Sequence, residues 1–255
     1  MLTLAAAVLP GSRSVQVGTT ATAFATIVNA GTTTAQTCEI NDLLVNDPET
    51  FSYQTTDPAT NAVTGTPNTP VDIPAHNFQT FVFAMTPTGP FVPADLRLGF
   101  ACGNVGSVPF IVGVNTLLLS GSSTPVPDIV ALGATPTGDQ IVHLPGPSGG
   151  GLFVVATSNA GAAGAITFSA DTGAVSLPLA ITVCRTDPAT SQCQAPPAPA
   201  VTVNIAAGAQ PSFAVFATAS GSIAFDPANS RITARFKDAG GLTRGATSVA
   251  VTTTQ

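Results

Sequence analysis

The chain has 255 residues, of which 44% are apolar and only 8% charged, with seven basic residues against 13 acidic ones and a net charge of -6. Nucleic-acid binding needs a basic footprint that releases counterions from phosphates, and this balance excludes it. Near-normal apolar content with so little charge also excludes a disordered chain, and leaves a surface of Thr, Ser, Asn, Gln, Gly and Ala that favours close contact with other molecules or with copies of itself.

Taken from the start, Met1 to Val8 carries a short apolar run without a positive flank. It reads as the beginning of a mature chain or of a piece excised from a longer one, and is too short to span a membrane. Ala21 to Val28 is apolar or small on both faces and ends at Asn29-Ala30-Gly31. Cys38 follows, and then an acidic loop in which Asn41, Asp42, Asn46, Asp47 and Glu49 form the one local cluster worth weighing for calcium. It lacks the spacing of a known calcium loop, and an ordinary acidic loop is expected. Thr56-Asp57-Pro58-Ala59-Thr60 is a turn in which Asp caps and Pro presets the backbone. Val71 to Ala75 precedes a strand holding Phe81 and Phe83. Leu96, Leu98, Phe100 and Cys102 alternate with Arg97, Gly99 and Ala101, so the first set is expected to face a core and the second to face out.

From Ser120 to Pro127 a Ser/Gly/Pro stretch has the composition of a linker. After it the chain repeats itself at a period near 130 residues. Asn159-Ala160-Gly161 answers Asn29-Ala30-Gly31, and Thr186 to Thr190 answers Thr56 to Thr60. Val203 to Ala207 answers Val71 to Ala75, while Phe213 and Val215 answer Phe81 and Phe83. The order of these matches predicts two copies of one unit. Short Val/Ile/Phe/Thr runs between Gly, Pro, Asn and Asp turns predict an all-β fold of two tandem immunoglobulin-like β-sandwich domains, residues 1-122 and 123-255, with about seven strands each.

Val28-Asn-Ala-Gly31, Ile73-Pro-Ala75 and Thr80-Phe-Val-Phe-Ala-Met-Thr-Pro-Thr88 resemble the bacterial relatives of the ASH and PapD-like immunoglobulin families, in which an NxG turn precedes the same Ile-Pro-Ala and Thr-Phe elements. The second copy, from Pro127-Asp-Ile-Val-Ala131 to Asn159-Ala-Gly161, is similar to the cell-adhesion-related domains of bacterial surface proteins. The resemblance implies an immunoglobulin-like fold and a surface-associated, non-catalytic habit. It carries over no functional residues.

Four cysteines without metal-ligand spacing predict two disulfides and an extracellular or cell-surface location. Cys38-Cys102 is expected to join the two sheets of the first copy across its core, with Phe168 at the position of Cys38 in the second. Cys184-Cys193 would clamp the turn at Thr186 to Thr190. His76 and His143 fall in different copies, and no serine stands in a nucleophile context. Gly149-Gly150-Gly151 lacks the helix and lysine of a phosphate loop. The sequence therefore predicts no catalytic site, no metal, no cofactor and no enzymatic activity. Candidate subunit contacts are Leu2, Leu4 and Val8 on an apolar edge strand, which a neighbouring chain could accept, and Arg231, Arg235 and Lys237 on one outward strand face. The expected role is a structural subunit of an extracellular bacterial filament, sheath or surface layer, or part of a repeat adhesin, with copies of itself or other surface proteins as partners. The alternative is a glycan- or peptide-binding module of a larger secreted protein.

Overall fold

The computed structural model describes residues 4-43 and 49-254. The chain is all-β and divides into two compact units, Met1–Thr124 and Pro125–Gln255. In the first, β1 (Leu4–Leu9), β2 (Ser12–Gln16), β3 (Ala21–Asn29), β4 (Ala35–Asp42), β5 (Glu49–Thr56), β6 (Val71–Ile73), β7 (Asn77–Pro87), β8 (Phe91–Leu96), β9 (Leu98–Cys102), β10 (Gly106–Ser107) and β11 (Leu117–Ser122) follow in order. They form a sheet β1-β3-β7-β5, a second β10-β9-β4-β6, and a three-stranded ribbon β2-β11-β8 in which β2 runs parallel to β11.

The second unit contains β12 (Ile129–Ala134), β13 (Ile141–Pro145), β14 (Gly150–Asn159), β15 (Gly164–Asp171), β16 (Leu179–Thr186), β17 (Ala200–Ile205), β18 (Ser212–Ala219), β19 (Arg231–Lys237) and β20 (Thr243–Thr254). Its sheets are β12-β14-β18-β16 and β13-β20-β19-β15-β17, with β13 parallel to β20. Both units thus share one pairing scheme, in which the opening segment lies first on one sheet and then parallel to the last strand, within the ribbon of the first unit and the second sheet of the second. That division of the opening segment, and the break between β8 and β9, raise the strand number above the expected seven.

Period-2 alternation builds the cores. β1 and β3 bury every second residue, and β7 turns Phe81, Phe83 and Met85 inward. In the second unit Ile232, Ala234 and Phe236 point inward from β19 while Thr233, Arg235 and Lys237 do not, as the alternation requires. The corresponding expectation for Leu96 to Cys102 needs correcting. The strand breaks at Arg97, whose carbonyl accepts from Leu43 N–H (3.3 Å), and Gly99 is buried rather than outward. A Cβ on Gly99 would stand 3.0 Å from Leu43 Cδ2, so the glycine admits Leu43 over the strand.

The repeated Asn-Ala-Gly element has a physical task in both copies. Asn29 Nδ2 donates to the carbonyls of Thr33 (2.8 Å), Ile73 (3.0 Å) and Pro74 (3.1 Å), and its Oδ1 accepts from Gly31 N–H (3.0 Å). Asn159 Nδ2 donates to Ala162 (2.8 Å), Ile205 (3.3 Å) and Ala206 (3.2 Å), and its Oδ1 accepts from Gly161 and Asp128 N–H (both 3.1 Å). Both side chains are fully buried. Each ties the end of a strand in one sheet to the end of β6 or β17 in the other, and satisfies carbonyls that burial would otherwise leave unpaired. Gly161 is needed beside it because a Cβ there would collide with Val126 O and lie 2.6 Å from Asp128 N.

The repeated Thr-Asp-Pro-Ala-Thr turn is likewise one device used twice. Asp57 Oδ1 accepts from Ala59 N–H (3.0 Å), Thr60 N–H (2.8 Å) and Thr60 Oγ1 (2.9 Å), and Asp187 Oδ1 makes the same three bonds to Ala189 (2.9 Å) and Thr190 (3.0 and 3.3 Å). Ser120, Gly121 and Ser122, read from sequence as the start of a linker, belong to β11. The Ser120 hydroxyl is buried and donates to Ser14 Oγ at 2.9 Å.

Two disulfides are formed, Cys38-Cys102 and Cys184-Cys193. The first does not cross between sheets as expected. Glu39 pairs with Ala101 in the β4-β9 ladder, which sets Cys38 opposite Cys102 on neighbouring strands of one sheet, with Cα atoms 4.0 Å apart. In the second unit the equivalent place in the β15-β19 ladder is taken by Phe168 opposite Phe236, stacked with ring centroids 4.7 Å apart.

Candidate interaction surface

The strands of the β1-β3-β7-β5 and β12-β14-β18-β16 sheets contain two charged residues among the described positions, Glu49 and Arg185. Glu49 has the inward parity of Phe51, and Arg185 pairs with the buried Phe213, so neither lies on the outer face. The outer faces are therefore free of formal charge. Rows of apolar side chains cross them between positions held by Thr, Ser and Gln. On the first unit Leu9, Phe24 and Val82 stand side by side in register, and Ala5, Val28 and Phe78 form a second row. Phe24 is 41% exposed, Phe78 47% and Leu9 56%. On the second unit Ala134 and Val154 stand side by side next to buried Ala214, with exposed Leu152 beside half-buried Phe216 and exposed Leu132 beside Ala156.

Isolated exposed apolar residues need no explanation, but rows of them on a flat, charge-free sheet do. The alternation that fills the core with Ala23, Ala25, Phe81 and Phe83 sends Thr22, Phe24 and Val82 outward. The sequence supplies no charge at those outward positions. The sequence alone does not mark this surface, because Ala21 to Val28 is apolar or small on both faces and so carries no register signal. The signal that could have found it is the absence of Asp, Glu, Lys and Arg from whole strands.

Charges gather on the other sheets, and most are already engaged. Arg235 Nε donates to Asp171 Oδ2 at 2.7 Å, and Arg231 donates to Ser248 Oγ (3.0 Å), Ser248 O (2.9 Å) and Pro227 O (2.7 Å). Burial pulls the Arg231 pKa below its ordinary value. Burial works to raise the Asp171 carboxyl, yet hydrogen bonds from Arg235 and Gly173 N–H outweigh it and leave the pKa below the usual carboxylate range. Lys237 adds its charge from the same face. Arg231 and Arg235 thus serve their own unit first, and are not the open basic stripe that alternation alone suggested. Arg244 Nε meets Asp238 Oδ2 at 2.7 Å with both side chains largely buried (7% and 19% exposed).

The edge-strand contacts are placed differently from one another. Leu4 and Val8 fill the core of their own unit, because β1 lies on β3 and Val8 N–H also donates to Val114 O (2.8 Å). Leu2 lies outside the described residues, as do Asn46 and Asp47 of the acidic loop. Among the described residues no cluster of three His, Cys, Asp or Glu side chains could hold a metal ion. His76 sits in a turn, and His143 Nε2 meets Asp139 Oδ2 at 2.8 Å on the surface. Gly149 to Gly151 allow close approach of β13, since a Cβ on Gly151 would lie 2.8 Å from Leu144 Cδ2. Among the described residues no helix is long and apolar enough to cross a membrane. The two disulfides fit an extracellular or secreted location.

No protein-family model and no curated protein matches the chain. Solved structures that it resembles include the secreted serine protease VesC from Vibrio cholerae, at 10% identity and a TM-score of 0.31, covering 89% of this chain and 48% of that one. Another is a family 123 glycoside hydrolase from Clostridium perfringens, at 8% identity and a TM-score of 0.34, covering 57% and 31%. A third is the BIgI domain of beta protein from S. agalactiae, bound to CEACAM1, at 12% identity and a TM-score of 0.27, covering 47% and 98%. The chain spans about half the length of the first of these structures and a third of the second. With a serine protease and a glycoside hydrolase among them, the exclusion of enzymatic activity drawn from the sequence is withdrawn. It rested on linear motifs, which are blind to residues that only folding brings together. Likenesses this distant assign no activity to this chain.

Proposed function

We propose that the chain is a structural subunit of an extracellular bacterial assembly, such as a filament, sheath or surface layer, or a segment of a repeat adhesin, built from two tandem immunoglobulin-like sandwiches. The pairing scheme common to both units supports the immunoglobulin-like reading: four strands in one sheet, and an opening segment that goes on to run parallel to the last strand. The observation that carries the assembly reading is the uncharged outer face, crossed by exposed apolar side chains, that each unit presents on its first sheet. Four strands spaced ~4.8 Å apart and about eight residues long at ~3.4 Å each give roughly 500 Å² per face. One such face is smaller than the ~800 Å² per partner of a standard stable interface, so association through it is expected to be weak and to grow with concentration. With no charge to desolvate, its burial against equivalent faces of other copies removes apolar surface from water without an opposing electrostatic cost.

The test is concentration-dependent sedimentation of the chain and of a variant carrying Phe24→Asp and Val154→Asp, with circular dichroism to verify folding. The natural chain is expected to associate progressively and the folded variant to remain monomeric. A natural chain that stays monomeric up to millimolar concentration would sink the reading.

A further inference from the structure

A second feature lies in the second unit and points to a different kind of partner. Between the end of β16, the end of β17 and the segment before β18 lies a cavity of about 220 Å³. Its apolar walls are Pro188, Val203, Ile205 and Pro211, with Asn204 and Gln210 at its rim, and Arg185 reaches into it. Arg185 has the inward parity of Phe213, its partner in the ladder. Its Nε is buried without a hydrogen-bond partner, and no carboxylate among the described residues pairs with the guanidinium.

The walls are held in place. Thr157 Oγ1 donates to Pro211 O (2.5 Å), Asn159 N–H donates to Ala209 O (2.9 Å), and Thr186 and Ser212 share a hydroxyl bond of 2.6 Å. The backbone that carries the arginine is fixed on both sides. Cys184 is bonded to Cys193, and Gln194 N–H donates to Arg185 O (2.9 Å). In the first unit Thr55 stands at the equivalent position, and its hydroxyl donates to Thr64 O at 2.7 Å. The cystine has no counterpart there, since Gln54 and Val63 occupy the equivalent positions.

A guanidinium with a buried, unbonded N–H inside apolar walls is short of an acceptor, and the acceptor that best matches its planar fork is a carboxylate. Sites for drug-sized ligands run from ~300 to 1,000 Å³, so this one admits a single residue-sized group. With no aromatic side chain on its walls, it lacks the stacking platform that a sugar ring would use. We propose that this cavity binds a carboxylate presented by a protein segment, either an acidic side chain or a chain terminus, with Arg185 as its anchor. The inference is independent of the association of the sheet faces.

The experiment is a titration of the full isotope-labelled chain, followed through the Arg185 Nε–H signal and the amides of Val203 to Ile205. Four probes are used: N-acetyl-Val-Glu amide, N-acetyl-Val-Ala with a free terminus, the neutral N-acetyl-Val-Gln amide, and inorganic phosphate. One or both carboxylated peptides are expected to shift these signals in a saturable way, the stronger of the two identifying side chain or terminus. Amides around Thr55 should stay still. Arg185→Gln should weaken that binding at least tenfold and leave the melting temperature unchanged or raised, because the arginine has no bonds to lose. Arg185→Lys should retain part of the affinity. Equal binding of the neutral peptide, tighter binding of phosphate, silence towards every probe at millimolar concentration, or a marked loss of thermal stability in Arg185→Gln would each overturn the proposal. Self-association of the chain would be untouched by any of these results.

Discussion

The two units carry one architecture but secure it at the same spot with different chemistry. In the first, Cys38 and Cys102 are joined covalently across neighbouring strands; in the second, Phe168 stacks on Phe236 and also packs against Phe213, with centroids 4.6 Å apart. The neighbouring connections differ to match. From β9 to β11 the first unit makes a long excursion through β10, whereas β19 and β20 of the second are joined by a tight turn. In that turn Asp238 Oδ1 accepts from Gly240 N–H (2.9 Å) and Leu242 N–H (3.0 Å), while its Oδ2 holds Arg244. A covalent bond constrains the unfolded chain whatever loop follows it. An aromatic stack depends on the strands staying paired, and a short, internally bonded turn keeps them so.

The comparison is best broken by removing each device alone and asking which unit responds. Replacing Cys38 and Cys102 together by Ala should cost the first unit about 4 kcal/mol, the chain-entropy estimate for a loop closed over 64 residues. Phe168→Ala should cost the second unit ~3-5 kcal/mol through the lost burial and the cavity left behind. The single tyrosine, Tyr53, makes intrinsic fluorescence a reporter of the first unit alone, since the chain has no tryptophan. Hydrogen exchange read peptide by peptide follows the second. A cysteine variant that unfolds both units together would show that they do not behave as separate cooperative bodies.

Asp238→Ala comes next in size. It removes a carboxylate contact from the buried Arg244 guanidinium and the acceptor of the Gly240 and Leu242 amides, for which about 3 kcal/mol is expected in urea unfolding of the second unit. Removing Cys184 and Cys193 should cost roughly 2-3 kcal/mol, because the loop they close spans only 9 residues. If that loss equalled or exceeded the loss from Cys38 and Cys102, loop length would not be the governing variable.

Much of this was legible in the sequence because it repeats. The buried asparagines, the aspartate-capped turns and the inward phenylalanines are sites where one residue type satisfies a geometric demand, so they recur at the same offset. The partners of Cys38 could be guessed, but not the sheet that holds them, because strand order is decided by pairing between segments far apart in the chain. The charge-free faces escaped notice for a related reason. A strand that is apolar on both sides gives no alternation from which to read its register, and Ala21 to Val28 acquires inner and outer faces only when β7 is laid beside it. The Arg185 cavity is assembled from β16, β17 and a turn, none of which signals it alone.

Acid should separate the units by a smaller margin, and the direction follows from the carboxylates that each one holds. Among the described residues the second unit has four aspartates whose pKa values lie below the ordinary range. Asp139 is lowered by hydrogen bonds from Thr137, His143 and Ile141 N–H, and Asp171 is lowered by Arg235 and Gly173 against the effect of burial. Asp187 is lowered by the amides of Thr190 and Ala189, and Asp226 by Asn229. Among the described residues of the first unit, Asp57 is the one aspartate for which such a lowering is resolved, by Thr60 and Ala59. A carboxyl depressed in the folded state contributes its full stability above the unfolded value, about 3.9 for Asp, and loses it as the pH falls towards the folded value. Both units should therefore hold their urea midpoints between pH 7 and 5, and between pH 4 and 2 the midpoint of the second should fall further than that of the first. Hydrogen exchange at matched urea concentrations, with Tyr53 fluorescence as the check on the first unit, measures the two together. If the first unit yields to acid before the second, the surface aspartates of the second contribute less than their hydrogen bonds imply, and the difference in acid response must come from charges elsewhere in the first unit.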